Sequence, residues 1–222
     1  MKIVKDGWPL IIGPLVIAGV AGGLLAAFGH PRAAAGVASV FVLLGAFMIY
    51  FFRDPERTVP ADPNALVAGA DGLIRQVEII QEQRFLNVET VRVSIFLSPF
   101  DVHVNRTPMG GTVKHLSYTP GWHLLTMQNA SSDRNEHSSI LVEGADTRCL
   151  VKQIVGPIVR RVVYWLDMDQ SLAKGDRIGM MKFGSRLDMY FPAADVRVVV
   201  KKGDRVRAGE TVVAMLKKGG AS

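Results

Sequence analysis

Two stretches of the chain hold residues whose types and spacing could do chemistry. The first runs Phe96-Leu97-Ser98-Pro99-Phe100-Asp101-Val102-His103-Val104-Asn105-Arg106-Thr107-Pro108 and is dense in polar groups. Asp101 and His103 are two apart, so in extended backbone their side chains share a face. A carboxylate beside an imidazole raises its pKa and fixes its tautomer, which suits a proton-transfer group. The same spacing also fits a turn with a local Asp–His contact. The second stretch runs Met181-Lys182-Phe183-Gly184-Ser185-Arg186-Leu187-Asp188-Met189-Tyr190-Phe191-Pro192. Taken alone, its Gly-Ser pair reads as an ordinary bulge or turn before a strand.

The common catalytic signatures are absent. There is no G-x-S-x-G, no H-E-x-x-H, no P-loop and no dinucleotide fingerprint. The five histidines, at 30, 103, 115, 123 and 137, form no H-x-H or i,i+4 ligand pair, and no metal site is expected. A single cysteine, Cys149, excludes an intramolecular disulfide and a Cys-based zinc site, and it fits a reducing compartment.

The elements that must position these residues fall into two parts. The chain has 222 residues, 49% of them apolar, which excludes a disordered chain. Residues 1–52 carry as charges only Lys2, Lys5, Asp6 and Arg32. Removing these four from the 26 basic and 20 acidic residues leaves 23 and 19 for residues 53–222, a net of +4. That mild, mixed excess argues against a nucleic-acid stripe and suits an anionic membrane surface.

Trp8 to Phe28 is a run of 21 residues without a charge, and Ala33 to Phe52 is a run of 20, with His30-Pro31-Arg32 between them. A helix needs about 20 apolar residues to cross the hydrocarbon core. Trp8 and Tyr50 suit the interfacial aromatic belt. Lys2 and Lys5 before the first run, with Arg53 and Arg57 after the second, place both ends in the cytoplasm by the positive-inside rule. Two long adjacent runs do not match a signal peptide. A hairpin lying in the membrane plane is the competing geometry. Gly19, Gly22 and Gly23 allow close helix packing in either case.

After a Pro-rich exit at residues 53–63 the pattern changes to short Val- and Ile-rich runs. Strands are expected at 73–79, 91–97, 112–116, 139–142, 161–165 and 196–200, with another at 210–215. No long helical period appears after residue 60. A small repeat, Lys174-Gly175-Asp176-Arg177-Ile178 and Lys202-Gly203-Asp204-Arg205-Val206, marks two similar turns. They resemble the hammerhead turns of lipoyl- and biotinyl-type sandwiches. The expected fold is therefore mostly β, a lipoyl/biotinyl-like sandwich or barrel at 53–222, preceded by an α-helical membrane hairpin at 1–52.

Taken together and in order, Ala70-Asp71-Gly72, Ser98-Pro99-x-Asp101-x-His103, Asn135-Glu136 and Gly184-Ser185 resemble the phosphatidylserine decarboxylase proenzyme family. The length, the two apolar runs and the closing Val200-Lys201-Lys202-Gly203-Asp204 look like its short branch. The resemblance covers nearly the whole chain. Phe-Asp-Val-His-Val-Asn-Arg and Phe-Gly-Ser are its specific parts.

The resemblance implies self-cleavage between Gly184 and Ser185, giving a β chain of residues 1–184 and an α chain of residues 185–222. Ser185 would become a covalent pyruvoyl group, the only cofactor implied. That group would bind the amine of phosphatidylserine as a Schiff base, release carbon dioxide and leave phosphatidylethanolamine. The two chains would stay together as a heterodimer, which is compatible with a higher oligomer, on the cytoplasmic face of the cell membrane. Asp71 matches the Asp of the family's self-cleavage relay, His103 its decarboxylation histidine and Asp101 the Asp beside it. Longer relatives carry a second, relay histidine where this chain has Arg106. His103 is therefore expected to serve as the base in cleavage as well, oriented by Asp71 or Asp101.

Arg106, Lys114 and Arg134 are candidates for the lipid phosphate, because an Arg fork matches phosphate oxygens. His137 reads as a surface or substrate-contact residue, and His115 and His123 as structural or peripheral. Three other readings compete. Archaetidylserine has the same head group. A different pyruvoyl enzyme would act on a soluble amino acid, but would not need the apolar runs. A membrane-anchored lipoyl-like adaptor would need no Ser185 chemistry, yet no convincing modifiable Lys sits at a tight hairpin.

Overall fold

The computed structural model describes residues 2–122, 135–156, 162–182 and 185–217, with Ser185 described by its main chain alone. Contacts divide the chain into two compact units, Met1–Glu56 and Arg57 onward.

The first unit is helical because its two uncharged runs carry no internal breaker stronger than Pro14. Helix α1 spans Trp8–Ala27 and α2 spans Pro31–Phe51, each with Pro in its first turn, where the missing N–H costs nothing. A two-stranded ladder, β1 (Lys2–Ile3) with β2 (Arg53–Asp54), ties the ends together. Small residues set the helix contact. A Cβ on Gly22 would meet that of Ala38 at 3.4 Å, and one on Gly45 would meet the Leu15 side chain at 2.9 Å. Gly19 and Gly23, read as packing residues alongside Gly22, face open space. Both helices are long and apolar enough to cross a membrane.

The second unit is built of strands. In chain order these are β3 (Ala65–Val67), β4 (Gly72–Glu82), β5 (Val88–Leu97), β6 (Val104–Arg106), β7 (Gly111–Thr119), β8 (His137–Glu143), β9 (Arg148–Val155), β10 (Val162–Tyr164), β11 (Ser171–Leu172), β12 (Arg177–Met181), β13 (Ser185–Pro192), β14 (Val196–Val198), β15 (Arg205–Val206) and β16 (Val212–Leu216). Among the described residues, an eight-stranded sheet has the order β11-β7-β8-β9-β13-β5-β4-β15. Two three-stranded sheets, β10-β12-β6 and β14-β16-β3, complete the unit. The mostly-β expectation holds. Strand β9 was not anticipated, because Lys152 and Gln153 interrupt its apolar run while both of its faces are buried.

One core joins the sheets. It contains Leu66 of β3, Val93 and Ile95 of β5, Ile140 of β8, Val151 of β9, Ile178 of β12, Leu187, Met189 and Phe191 of β13, and Val213 of β16. Alternation along β13 sends Arg186, Asp188 and Tyr190 to the opposite face. That face is buried too, with Tyr190 packed on Leu86 and Leu150.

The Lys-Gly-Asp repeat builds two equivalent turns. Gly175 (φ +84°) and Gly203 (φ +97°) supply the left-handed residue that a side chain would resist. Each following aspartate accepts a main-chain N–H three residues back: Ala173 to Asp176 at 2.7 Å, and Lys201 to Asp204 at 2.9 Å. Each turn then exchanges two main-chain hydrogen bonds with another segment, Gly175 and Asp176 with Thr107, and Gly203 and Asp204 with Ile74. The repeat thus anchors the two stretches, near 74 and near 107, that flank the candidate chemistry.

Candidate active site

Strand β13 is central in the eight-stranded sheet, and Ser185 is its first residue. Ser185 lies opposite Leu97 of β5 on one side and Val155 of β9 on the other. Leu97 ends β5, so the next residue is Ser98, the start of the polar stretch. Upstream, the Met181 N–H donates to the His103 carbonyl at 3.3 Å. Met181 and Ser185 are therefore each paired with one end of the stretch from Leu97 to His103. Phe183 and Gly184 lie outside the described residues.

The 98–101 segment is a turn. Proline at its second position presets φ, and the Asp101 N–H donates to the Ser98 carbonyl at 3.0 Å. The Asp101 carboxylate closes the turn by accepting the Ser98 N–H at 2.8 Å and the Ser98 hydroxyl at 2.7 Å. Its other oxygen faces Arg205 Nη1 at 3.3 Å, and Arg205 is otherwise exposed.

His103 is fully buried. Its Nδ1 lies 2.9 Å from the main-chain carbonyl of Asp101. A carbonyl only accepts, so this bond puts the proton on Nδ1 and leaves the Nε2 lone pair as the basic site. The expected carboxylate partner is thus replaced here by a peptide oxygen. Asp101 orients His103 through its main chain, while its side chain holds the turn.

Asp71 sits between β3 and β4. Gly72 (φ +151°) lets β4 approach the Phe96 carbonyl of β5 where any Cβ would collide with it. The Asp71 carboxylate accepts from Arg57 Nη2 at 2.9 and 2.8 Å and from the Ala208 N–H at 2.8 Å. Burial pushes its carboxyl above the usual range, the Ala208 N–H and Arg57 pull it back down, and the nearby Asp101 charge raises it slightly. Asp71 and Asp101 thus lie close enough to interact, and His103, two residues beyond Asp101, accepts the Met181 N–H through its carbonyl.

The other candidates lie elsewhere. Arg106, on β6, is buried and donates to the Gly175 carbonyl at 2.9 Å, so it supports the first Lys-Gly-Asp turn. Lys114 is on β7, partly exposed and paired with Asp169 at 2.9 Å. Arg134 and His123 lie outside the described residues. His137 is not a surface residue: it is 2% exposed, and its Nδ1 is 2.7 Å from the Asn135 carbonyl. His115 packs its ring at a tilt against Phe85 and bonds Ser117, a structural role. Among the described residues no cluster of three or more His, Cys, Asp or Glu could hold a metal ion.

Sequence reasoning missed Arg57 and Glu210. Arg57 was read as part of the polar exit from the apolar region, and nothing in its spacing ties it to Asp71, 14 residues away. Glu210 comes 139 residues after Asp71 and reaches Arg57 only through the fold.

Comparison with known proteins supplies the context for this geometry. The family model described as phosphatidylserine decarboxylase matches residues 44–214. A phosphatidylserine decarboxylase proenzyme of Desulfotalea psychrophila is 42% identical over 178 residues, covering 80% of this chain and 83% of that protein. One of Symbiobacterium thermophilum is 40% identical over 215 residues, covering 96% and 95%. One of Pelobacter propionicus is 41% identical over 219 residues, covering 96% of each.

Proposed function

The chain belongs to the phosphatidylserine decarboxylase family, and from that premise we propose that it is a proenzyme that cuts itself between Gly184 and Ser185 and then converts phosphatidylserine to phosphatidylethanolamine at a membrane. The observation that carries the reading is the double attachment of residues 181–185. Met181 is bonded to His103, and Ser185 is in register with Leu97.

In the proposed cleavage, the Ser185 hydroxyl gives up its proton as Oγ attacks the Gly184 carbonyl carbon. The amide nitrogen leaves with a proton, and an ester replaces the amide. Glycine leaves that carbonyl open to attack. His103, with its Nδ1 proton engaged by Asp101, has Nε2 for accepting a proton. Loss of the Ser185 α-proton then expels the Gly184 carboxylate. Addition of one water and loss of one ammonia leave a pyruvoyl group at residue 185.

The position fits such a group. Ser185 opens a strand paired on both edges, so a new N-terminus there stays held by Leu97 and Val155. The pyruvoyl carbonyl supplies the electrophile that captures the substrate amine and takes up the electron pair released with carbon dioxide. His103 is the group we assign to returning a proton to the product. The α chain, 185–222, keeps β13 between β5 and β9, β15 on β4 and β16 on β3, so the two chains stay one folded body after the cut. We assign the lipid phosphate, on sequence grounds, to Lys114 and Arg134 ahead of Arg106, whose buried guanidinium holds Gly175.

The helical unit supports a membrane-bound site, where a lipid substrate arrives by lateral diffusion. The basic flanks favour the cytoplasmic face. Archaetidylserine, with the same head group, is the second lipid to compare. The test is carbon dioxide release from each purified lipid by full-length protein in detergent, alongside Ser185→Ala. Wild type runs as two pieces of 184 and 38 residues and releases carbon dioxide, while Ser185→Ala stays intact and inactive. A single uncut wild-type chain without release overturns the reading.

A further inference from the structure

Asp71 is held on both of its carboxylate oxygens. Its two oxygens take both contacts of Arg57 Nη2, and the Ala208 N–H adds a third hydrogen bond. Arg57 is itself buried, with a side chain 7% exposed. Its other terminal nitrogen, Nη1, faces Glu210 Oε2 at 3.4 Å. Glu210 is held in turn by the Thr58 N–H at 3.3 Å on Oε1. The result is a chain of contacts, Glu210 to Arg57 to Asp71, drawn from three separate parts of the sequence.

We propose that Arg57 is a positioning residue for self-cleavage, fixing the direction of the Asp71 carboxylate, with Glu210 steadying Arg57 from behind. This rests on the reading of Asp71 as part of the cleavage relay. The charges around Asp71 make the role specific. Burial and the neighbouring Asp101 both oppose a second negative charge. Arg205 offsets Asp101 from its exposed side, and Arg207 lies 3.9 Å from Glu210. Against these, Ala208 offers one backbone dipole, whereas Arg57 offers a full, permanently protonated charge whose fork spans Asp71 through Nη2 and Glu210 through Nη1. Burial makes that charge count for more than it would at the surface.

The competing account is a staple. Arg57 would simply fasten the chain leaving Glu56 to the strand unit, and any loss of cleavage on its removal would be loss of fold. The two accounts differ in pH dependence. Arg57 lowers the Asp71 pKa, so removing it raises that pKa, and the acidic limb of the cleavage rate moves to higher pH. His103, as the base, must also be unprotonated, so it acts on the same acidic limb, and the rise of the Asp71 pKa toward that of His103 is read in the limb's slope as well as its position. A staple changes the rate at every pH and moves no limb.

The experiment follows the uncut-to-cut ratio of freshly translated full-length chain in detergent over a pH series. Wild type, Arg57→Gln, Arg57→Lys and Asp71→Asn are compared. The expected result is a steeper acidic limb, displaced upward in Arg57→Gln, because an Asp that loses an adjacent Arg rises by about 1–3 pH units toward the range in which His103 ionises. Arg57→Lys keeps the charge and loses the fork, so its limb stays near wild type while its plateau rate falls. An Arg57→Gln limb that coincides with wild type overturns the proposal. Where Arg57→Gln does not fold, Arg57→Lys decides: a wild-type plateau rate overturns the positioning role. Asp71→Asn tests the underlying reading separately. If it cleaves with the wild-type profile, Asp71 is outside the relay, whatever Arg57 does.

Discussion

In the helical unit, Val16, Val20, Leu24, Val40 and Leu43 are each more than half exposed, while in the strand unit Arg186 and Asp188 are buried almost completely. The two regions thus invert the usual arrangement in opposite directions. Helices α1 and α2 pair most of their backbone groups internally and leave apolar side chains outside, which is stable where the surroundings are hydrocarbon. The strand unit buries charge, which is tolerable only with close pairing. Arg186 meets that condition with two hydrogen bonds to Asp188, Nε to Oδ1 at 2.8 Å and Nη2 to Oδ2 at 2.7 Å. The difference separates reach from reaction: one unit is suited to a lipid phase, and the other holds every candidate catalytic group.

The sharpest way to break this division is at His103. If all the chemistry resides in the strand unit, His103→Ala slows self-cleavage by about 10²-fold or more, the scale of a lost general base, without disturbing the helices. The uncut fraction on a denaturing gel measures this, and full cleavage removes His103 from the role. Next comes the buried pair. Arg186→Met removes the ion pair from the buried Asp188, which keeps the Tyr190 hydroxyl at 3.4 Å, and is expected to cost about 3–5 kcal/mol. That lowers the apparent unfolding midpoint of the strand unit by roughly 10 °C, and an unchanged midpoint would mean that water reaches Asp188. The smallest effect lies between the helices. Gly45→Leu forces a side chain onto Leu15 and is expected to cost about 1–3 kcal/mol of helix pairing, while Gly19→Leu adds a side chain in open space and is nearly neutral. Thermal unfolding in detergent ranks the two, and equal effects would contradict the packing described for α1 and α2.

What was legible in the sequence follows the range of the interaction involved. The apolar runs and the Lys-Gly-Asp turns depend on neighbours within a few residues, and both could be read directly. The Ser98–Asp101 turn is equally local, but its carboxylate was expected on His103 and instead closes the turn, leaving a peptide carbonyl on the imidazole. His137, which follows Asn135-Glu136, read as a surface or substrate-contact residue, yet it is buried among Asn135, Glu136, Ser138 and Ser139, all of them buried as well. The Arg57 bridge from Asp71 to Glu210 was invisible, since only the folded chain brings residues 71 and 210 to the two terminal nitrogens of residue 57. Local chemistry writes a signal into the sequence, whereas a long-range ion pair leaves residues that look like any solvated charges.

The central claim is that the chain becomes two at Gly184-Ser185 and that Ser185 is consumed in the process. Intact-mass analysis of the purified full-length protein tests it most directly. The account predicts a fragment of residues 1–184 ending in a free carboxylate, and a 185–222 fragment one ammonia lighter than its serine form and blocked to Edman degradation. A single uncut mass, or a 185–222 fragment that begins with an unmodified serine, would contradict it.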